Sequence, residues 1–253
     1  EIDALGGYSG LITDKSMLQF RMLNKSKGPA MWSPRAQCDR MVFSIEWRDR
    51  LEQIEGLDFW QDMVGEILIE DGKATGVVTK LGETFKAKTI VLTNGTFLNG
   101  LMHIGQVKIK GGRAAEPGVG GLSQQLLEAG FTTGRMKTGT PPRLDGRTID
   151  FSKLSRQDGD ELVVPFSYMN EDVHMEKELP CYIAHTSQAV HEILKTGFEA
   201  SPMFDGTIQS TGPRYCPSIE SKLITFAEKD AHQLFVEPEG YTTIEYYVNG
   251  FSS

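Results

Sequence analysis

Two periodicities divide the apolar positions of this chain. From Pro34 onward, Ala36, Val42, Phe43, Trp47 and Leu51 recur mostly three to five residues apart, which predicts a long amphipathic helix with Ser33 as its cap and Pro34 at its first position. Leu57 to Val64 reads as a short strand. From Glu66 to Phe85 the pattern alternates and breaks at Asp71-Gly72 and Leu81-Gly82, residues suited to hairpin turns, so a three-stranded meander is expected. It runs into Lys88-Thr-Ile-Val-Leu-Thr-Asn-Gly-Thr96, a continuous apolar stretch ending at a glycine turn, as in a strand covered on both faces of a parallel sheet. A glycine-rich loop from Gly111 then enters a short helix whose Leu122, Leu126 and Leu127 face one side. Strands at Leu162 to Met169 and Cys181 to His185, and helices at Gln188 to Thr196 and Pro217 to Lys229, complete the prediction.

Composition narrows the class. With 253 residues, 39% hydrophobic and 24% charged, the chain is long enough for one large globular domain or two small ones. No apolar run approaches the roughly 20 residues that span a bilayer, and Glu1 to Gly7 carry no basic or apolar leader, so a soluble cytoplasmic protein is expected. Cys38, Cys181 and Cys216 lie far apart without a CxxC pair; reduced thiols are expected, with neither a disulfide framework nor a metal site.

A net charge of -8 argues against a simple nucleic-acid-binding module. Charge is uneven, however. Arg135, Lys137, Arg143 and Arg147 cluster against Asp145 alone, whereas carboxylates dominate from Asp158 to Glu178. The cluster reads either as a basic patch or as an ordinary solvated turn region. Within it, Lys137-Thr-Gly-Thr-Pro-Pro-Arg143 is stiff and extended, because a residue before proline is biased away from the helical region, and a domain boundary is placed there.

Three segments carry candidate chemistry. The turn Thr93-Asn94-Gly95 leaves a backbone that a nucleotide could approach, although a ligand-free turn between strand and helix has the same residues. The loop Gly111-Gly-Arg-Ala-Ala-Glu-Pro-Gly-Val-Gly-Gly121 places Arg113 near a helix N-terminus and reads either as an anion cradle or as a flexible surface loop. Third, Pro217 suits the first position of a helix whose Ile219, Leu223, Phe226 and Ala227 would pack inward, which makes Cys216 the expected N-cap. A thiol there, two residues after Arg214, is biased toward the nucleophilic thiolate.

Four blocks occur in one order: Glu1 to Gly7 with Ser26 to Ala30 and Arg35-Ala-Gln-Cys-Asp-Arg40; Thr93 to Gly100 with His103-Ile-Gly105; Lys137 to Arg143; and Gly212-Pro-Arg-Tyr-Cys-Pro-Ser-Ile-Glu220. In these the chain resembles the MnmG (GidA) family. The resemblance implies an α/β fold: part of the Rossmann-like FAD domain of a two-dinucleotide-binding flavoprotein, plus an inserted α/β domain. Residues 1–141 would be a partial FAD-binding domain, 142–241 the inserted NAD(H)-binding domain, and 242–253 a return to the FAD domain. It further implies an enzyme that uses FAD, NADH and methylenetetrahydrofolate. With the GTPase MnmE it would build a carboxymethylaminomethyl or aminomethyl group on the tRNA wobble uridine, as a homodimer forming a heterotetramer with MnmE.

By the same resemblance, Cys216 is the second of the family's two catalytic cysteines, either the attacking thiol or an acid or base to the other. The NAD(H) stretch is Gly212, Pro213, Arg214, Tyr215, Cys216, Pro217, Ser218, Ile219, Glu220, Ser221, Lys222, Leu223, Ile224, Thr225 and Phe226. Val64 and Val119 match FAD contacts; Lys137 and Arg143, chosen from the basic cluster and not from the resemblance, are assigned to tRNA or nucleotide phosphate. The family's opening GxGxxG strand and first catalytic cysteine are absent, so the chain reads as an internal piece expected to bind FAD weakly or not at all. Two other readings stay open: a folate- and FAD-dependent uridine-54 methyltransferase or other flavin oxidoreductase, and a non-catalytic module that binds tRNA or MnmE.

Overall fold

The structure, a computed structural model, describes residues 1–208 and 218–253. Along the chain the elements are α1 (Ser9–Ser16), β1 (Met17–Leu23), β2 (Ser33–Cys38), α2 (Arg40–Glu52), β3 (Val64–Glu70), β4 (Lys73–Thr79), β5 (Thr84–Lys86), β6 (Leu101–Ile104), β7 (Val107–Lys110), α3 (Leu122–Glu128), β8 (Arg143–Asp145), β9 (Ser155–Gln157), β10 (Cys181–His185), α4 (Gln188–Lys195), α5 (Ile219–Thr225), β11 (Gln233–Pro238) and β12 (Glu245–Asn249). The described residues divide into two units. The first holds Glu1–Asp58, Thr138–Lys195 and residues 218–253; the second holds Phe59–Lys137 and residues 196–208.

In the first unit β1 pairs antiparallel with β2, and β8-β12-β11-β10-β9 form a five-stranded antiparallel sheet. Its core gathers Ile12, Met17, Leu18 and Phe20 from α1 and β1, Cys181 from β10, Leu234, Val236 and Val248 from β11 and β12, and Ile219 and Leu223 from α5. Gln19 is buried with them and is satisfied there: its amide donates to the Gln157 carbonyl at 2.9 Å. β12, within the stretch 242–253, bonds to β11 and β8, while residues 1–58 share this unit with them; the units are therefore cut near residues 58, 137 and 195.

The second unit contains the expected meander. β3, β4 and β5 form a three-stranded antiparallel sheet, and Asp71 and Gly72 both adopt positive φ, 49° and 74°, as the tight β3–β4 turn demands. β6 and β7 make a separate hairpin. The strand expected at Cys181 to His185 is β10, in the first unit, and the helix expected from Gln188 is α4.

Four expected elements are corrected. The helix begins not at Pro34 but at Arg40, because Asp39 is the stronger cap: its carboxylate accepts from the Met41 and Val42 amides at 2.9 and 3.0 Å, while Ser33–Cys38 pair with β1. No strand runs from Leu57; pairing starts at Val64. Lys88 to Thr96 form no strand, since no described residue supplies the neighbours a parallel strand requires, and Val91 is 82% exposed. Residues Leu162 to Met169 are irregular because carboxylates take their donors. The Phe166 and Ser167 amides bond to Asp14, and that of Tyr168 bonds to Asp3.

Candidate functional site

Cys216 and its neighbours Gly212, Pro213, Arg214, Tyr215 and Pro217 lie outside the described residues. The chain re-enters at Ser218, and this corrects the expected cap. α5 starts at Ile219 with Ser218 as N-cap, whose hydroxyl accepts from the Ser221 amide at 3.2 Å. Serine supplies the side-chain oxygen that an N-cap needs, so Cys216 stands two residues upstream of the cap. The Ile219 amide is already bonded to the Ser252 carbonyl at 2.8 Å. Few of the helix's first donors are thus left for a thiolate or a phosphate.

Within the expected NAD(H) stretch, Ser218, Ile219, Glu220 and Leu223 are buried, and Lys222 Nζ donates to the Gly250 carbonyl at 2.8 Å. One Glu220 oxygen accepts from the Ser253 hydroxyl; the other is buried without a hydrogen-bond partner among the described residues. Thr225, Ile224 and Phe226 face outward. One side of α5 therefore serves the fold, and the other is exposed.

The two residues assigned to FAD are on adjoining segments of the second unit. Val64 opens β3, and a Cβ built on Gly121, two residues past Val119, would stand 3.7 Å from the Gly65 carbonyl oxygen. The glycine-rich loop is packed, not loose. Gly111 N donates to the Gly100 carbonyl, Asn99 N to that of Val119, and Val119 N to that of Phe97, each at 2.9 Å. A Cβ on Gly111 would come within 2.5 Å of the Glu116 carbonyl oxygen, and one on Gly112 within 2.7 Å of the Phe97 ring. These glycines are required by the loop's own backbone. Val119 has both backbone groups engaged, its amide with the Phe97 carbonyl and its carbonyl with the Asn99 amide. Arg113 pairs with Glu116 instead of pointing to an open anion site.

The basic cluster separates into different settings. Arg147 is held bidentately by Asp145, with Nη2 to Oδ2 at 2.6 Å, and depresses that carboxyl below its ordinary value. Arg143 donates from Nε to Glu239 at 3.0 Å and lies over the Tyr247 ring at 5.2 Å. In the second unit, Arg135 donates to the Asn99 carbonyl at 3.2 Å, and Lys137 is half-buried.

An unforeseen constellation lines a cavity of about 250 Å³ in the first unit: Gln37, Cys38, Arg40, Glu237, Glu239 and Tyr247. Glu237 and Glu239 are buried two residues apart at the end of β11. Glu237 accepts from Arg35 at 2.6 Å, while Glu239 pairs with Arg40 and Arg143, each at 3.0 Å. Burial raises the Glu237 carboxyl, and Arg35 offsets part of that. The signal in the sequence that could find this pair is its spacing: two glutamates two residues apart, directly after apolar strand residues, share a face of an extended chain. Among the described residues no group of three or more His, Cys, Asp and Glu side chains is placed to hold a metal.

The sequence profile of the family described as Glucose inhibited division protein A matches residues 1–253. The chain is 57% identical over 253 residues to the tRNA uridine 5-carboxymethylaminomethyl modification enzyme MnmG of Cytophaga hutchinsonii, and 58% identical to that of Christiangramia forsetii. All of this chain is covered in each case, but 41% of the relative, so the chain spans about two-fifths of the length of the curated relatives it matches. It superposes on Aquifex aeolicus GidA in two crystal forms. The TM-score is 0.89 at 41% identity for form II, covering 100% of this chain and 40% of that one, and 0.91 at 43% identity for form I, covering 99% and 43%. The mixed α/β architecture is thus one found in solved structures.

Proposed function

Because the chain belongs to the Glucose inhibited division protein A family, we propose that it forms part of a flavin-dependent enzyme that modifies C5 of the tRNA wobble uridine. The product would carry a carboxymethylaminomethyl or aminomethyl group, made with methylenetetrahydrofolate and NADH and with MnmE as partner. The enzyme would act in the cytoplasm as a homodimer. One observation carries this reading: the whole chain aligns, at 57% identity, with a relative named for that modification.

Bound FAD would supply the redox chemistry that transfer of a one-carbon unit needs, with Val64 and Val119 packing against the nucleotide. The chain's own contribution is Cys216. C5 of uridine is a poor nucleophile; when the Cys216 thiolate bonds to C6, the C5–C6 π electrons pass to C5 and its neighbouring carbonyl, and C5 becomes reactive. The charge that favours the thiolate is assigned to Arg214 more than to α5, whose first donors are engaged. Ser218 to Phe226 would present the outward side of α5 to NADH. Lys137 is kept as a candidate phosphate contact, and Arg143 with it only in so far as Glu239 leaves its remaining donors available.

In the complete enzyme, Cys216→Ser is expected to abolish the modification while the flavin absorption spectrum stays unchanged. Normal modification by this variant would remove Cys216 from the mechanism. Mass spectrometry of the tRNA locates the altered uridine: change at position 54 instead of 34 would identify a methyltransferase, and tRNA binding without any change would identify a binding module.

A further inference from the structure

We infer that the β6–β7 hairpin is an RNA-backbone contact surface, with His103, Lys108 and Lys110 on one face and Arg135 at its base. The inference rests on the tRNA reading above and locates the contact.

Cross-strand register puts His103 opposite Lys108 and Leu101 opposite Lys110, so these four residues share a face. Met102, Ile104, Val107 and Ile109 occupy the other. All four residues of β7 are exposed, and neither Lys108 nor Lys110 has a carboxylate within ion-pair distance among the described residues. Arg135 joins them because its guanidinium donates to the carbonyl of Asn99, two residues before β6 begins. Asp205 is an acidic neighbour of this face. It is held below its ordinary pKa first by hydrogen bonds from Thr207, and the positive fields of Lys108 and His103 act in the same direction.

This arrangement does little for folding. Placing His103 opposite a lysine gains no cross-strand attraction, and exposed lysines without partners add next to nothing to a two-stranded hairpin. What the face offers is cations two residues apart on an extended strand, a rise of about 7 Å, which suits successive phosphates of a nucleic-acid strand. The surroundings favour it as well. The chain is strongly acidic overall, yet the second unit balances nine Lys and Arg against nine Asp and Glu, so the eight excess negative charges lie elsewhere. Arg143 and Arg147, the other half of the sequence's basic cluster, are occupied by Glu239 and Asp145.

The test is tRNA binding to the complete enzyme over a salt series, comparing wild type with K108A/K110A and with K108R/K110R. The alanine pair is expected to weaken binding several-fold at physiological salt and to make the plot of log K against log salt shallower by about 2, one for each phosphate that is no longer neutralised. The arginine pair should bind like wild type, which separates charge from local misfolding. Unchanged affinity and slope in K108A/K110A would overturn the proposal, as would equal losses in both pairs. Modification rates over a tRNA concentration series provide a separate readout: the alanine pair should raise KM with kcat retained. A wild-type enzyme that binds tRNA through these lysines but modifies no uridine would refute the proposed chemistry and leave the contact surface standing.

Discussion

The three cysteines separate by environment. Burial pushes the Cys38 thiol up, and it pushes Cys181 to about 11, with the nearby Glu237 charge adding to the rise. Cys181 is 1% exposed and its thiol faces Gln19 Oε1 at 3.4 Å. Cys181 is a small core group and Cys38 is half-buried, and thiolate is the reactive form. Brief iodoacetamide treatment of the complete protein at pH 7.5, read by peptide mass spectrometry, should therefore label Cys216 well before Cys38 or Cys181. Early labelling of Cys181 would contradict the burial argument. Asp39 is the second residue on which much depends. Besides capping α2 it accepts from the Tyr241 amide at 2.8 Å, and a Cβ on Gly240 would lie 2.7 Å from its carboxylate. Asp39→Ala leaves three buried or half-buried donors without their acceptor and should cost about 2 kcal/mol in urea unfolding.

At the level of elements, structure is legible in the sequence where its determinant is local. The Asp71-Gly72 turn is an example: positive φ at both positions is what its residues allow, so β3 and β4 can be placed without knowledge of any distant neighbour. The α2 boundary is misplaced because Ala36 matches a helical period by chance, and the pairing of Arg35 with Arg21 that makes this segment a strand joins positions apart in the chain. Leu162 to Met169 escape prediction for the same reason, their donors being claimed by Asp14 and Asp3 from about 150 residues away. Of the site, the loop is visible in the sequence as glycines, but its packing against Phe97 is not; the adjoining of the Val64 and Val119 segments comes only with the fold.

Another long-range device joins α4 to the residue that precedes β11. His191 and His232 are buried with ring centroids 5.4 Å apart, and Thr186 bonds to both, to His191 Nε2 at 2.7 Å and to the His232 amide at 2.8 Å. Among the described residues His232 Nε2 has no hydrogen-bond partner; burial lowers its pKa, and His191, Lys222 and Lys229 lower it further against the opposing effect of Glu228. The unfolded chain therefore takes up this proton first. Stability from this site is complete above the free histidine value of about 6.5 and declines as pH falls below it. Urea midpoints at pH 7.5 and 5.5 should differ more for wild type than for His232→Gln, and equal differences would remove His232 as the cause.

For the whole molecule, the informative feature is apolar surface where the sequence pattern expects a core. Ile90 is half-buried, Val91 is 82% exposed and Leu92 39% exposed, in a stretch whose composition is that of a doubly covered strand. A run of this kind is costly in water, at about 25 cal/mol for each Å² of apolar surface, and is retained where another surface covers it. The curated relatives are longer than this chain, which matches 41% of their length. Residues 89–94 should accordingly exchange amide hydrogens slowly in a complete enzyme carrying this sequence and quickly in the isolated 253 residues. Retention of FAD should follow the same division, with the complete enzyme keeping flavin through gel filtration and the isolated chain losing it. Rapid exchange of 89–94 in both would mean that the stretch is a surface loop despite its valine, isoleucine and leucine, and tight flavin in the isolated chain would show that Val64 and Val119 belong to a cradle sufficient by itself.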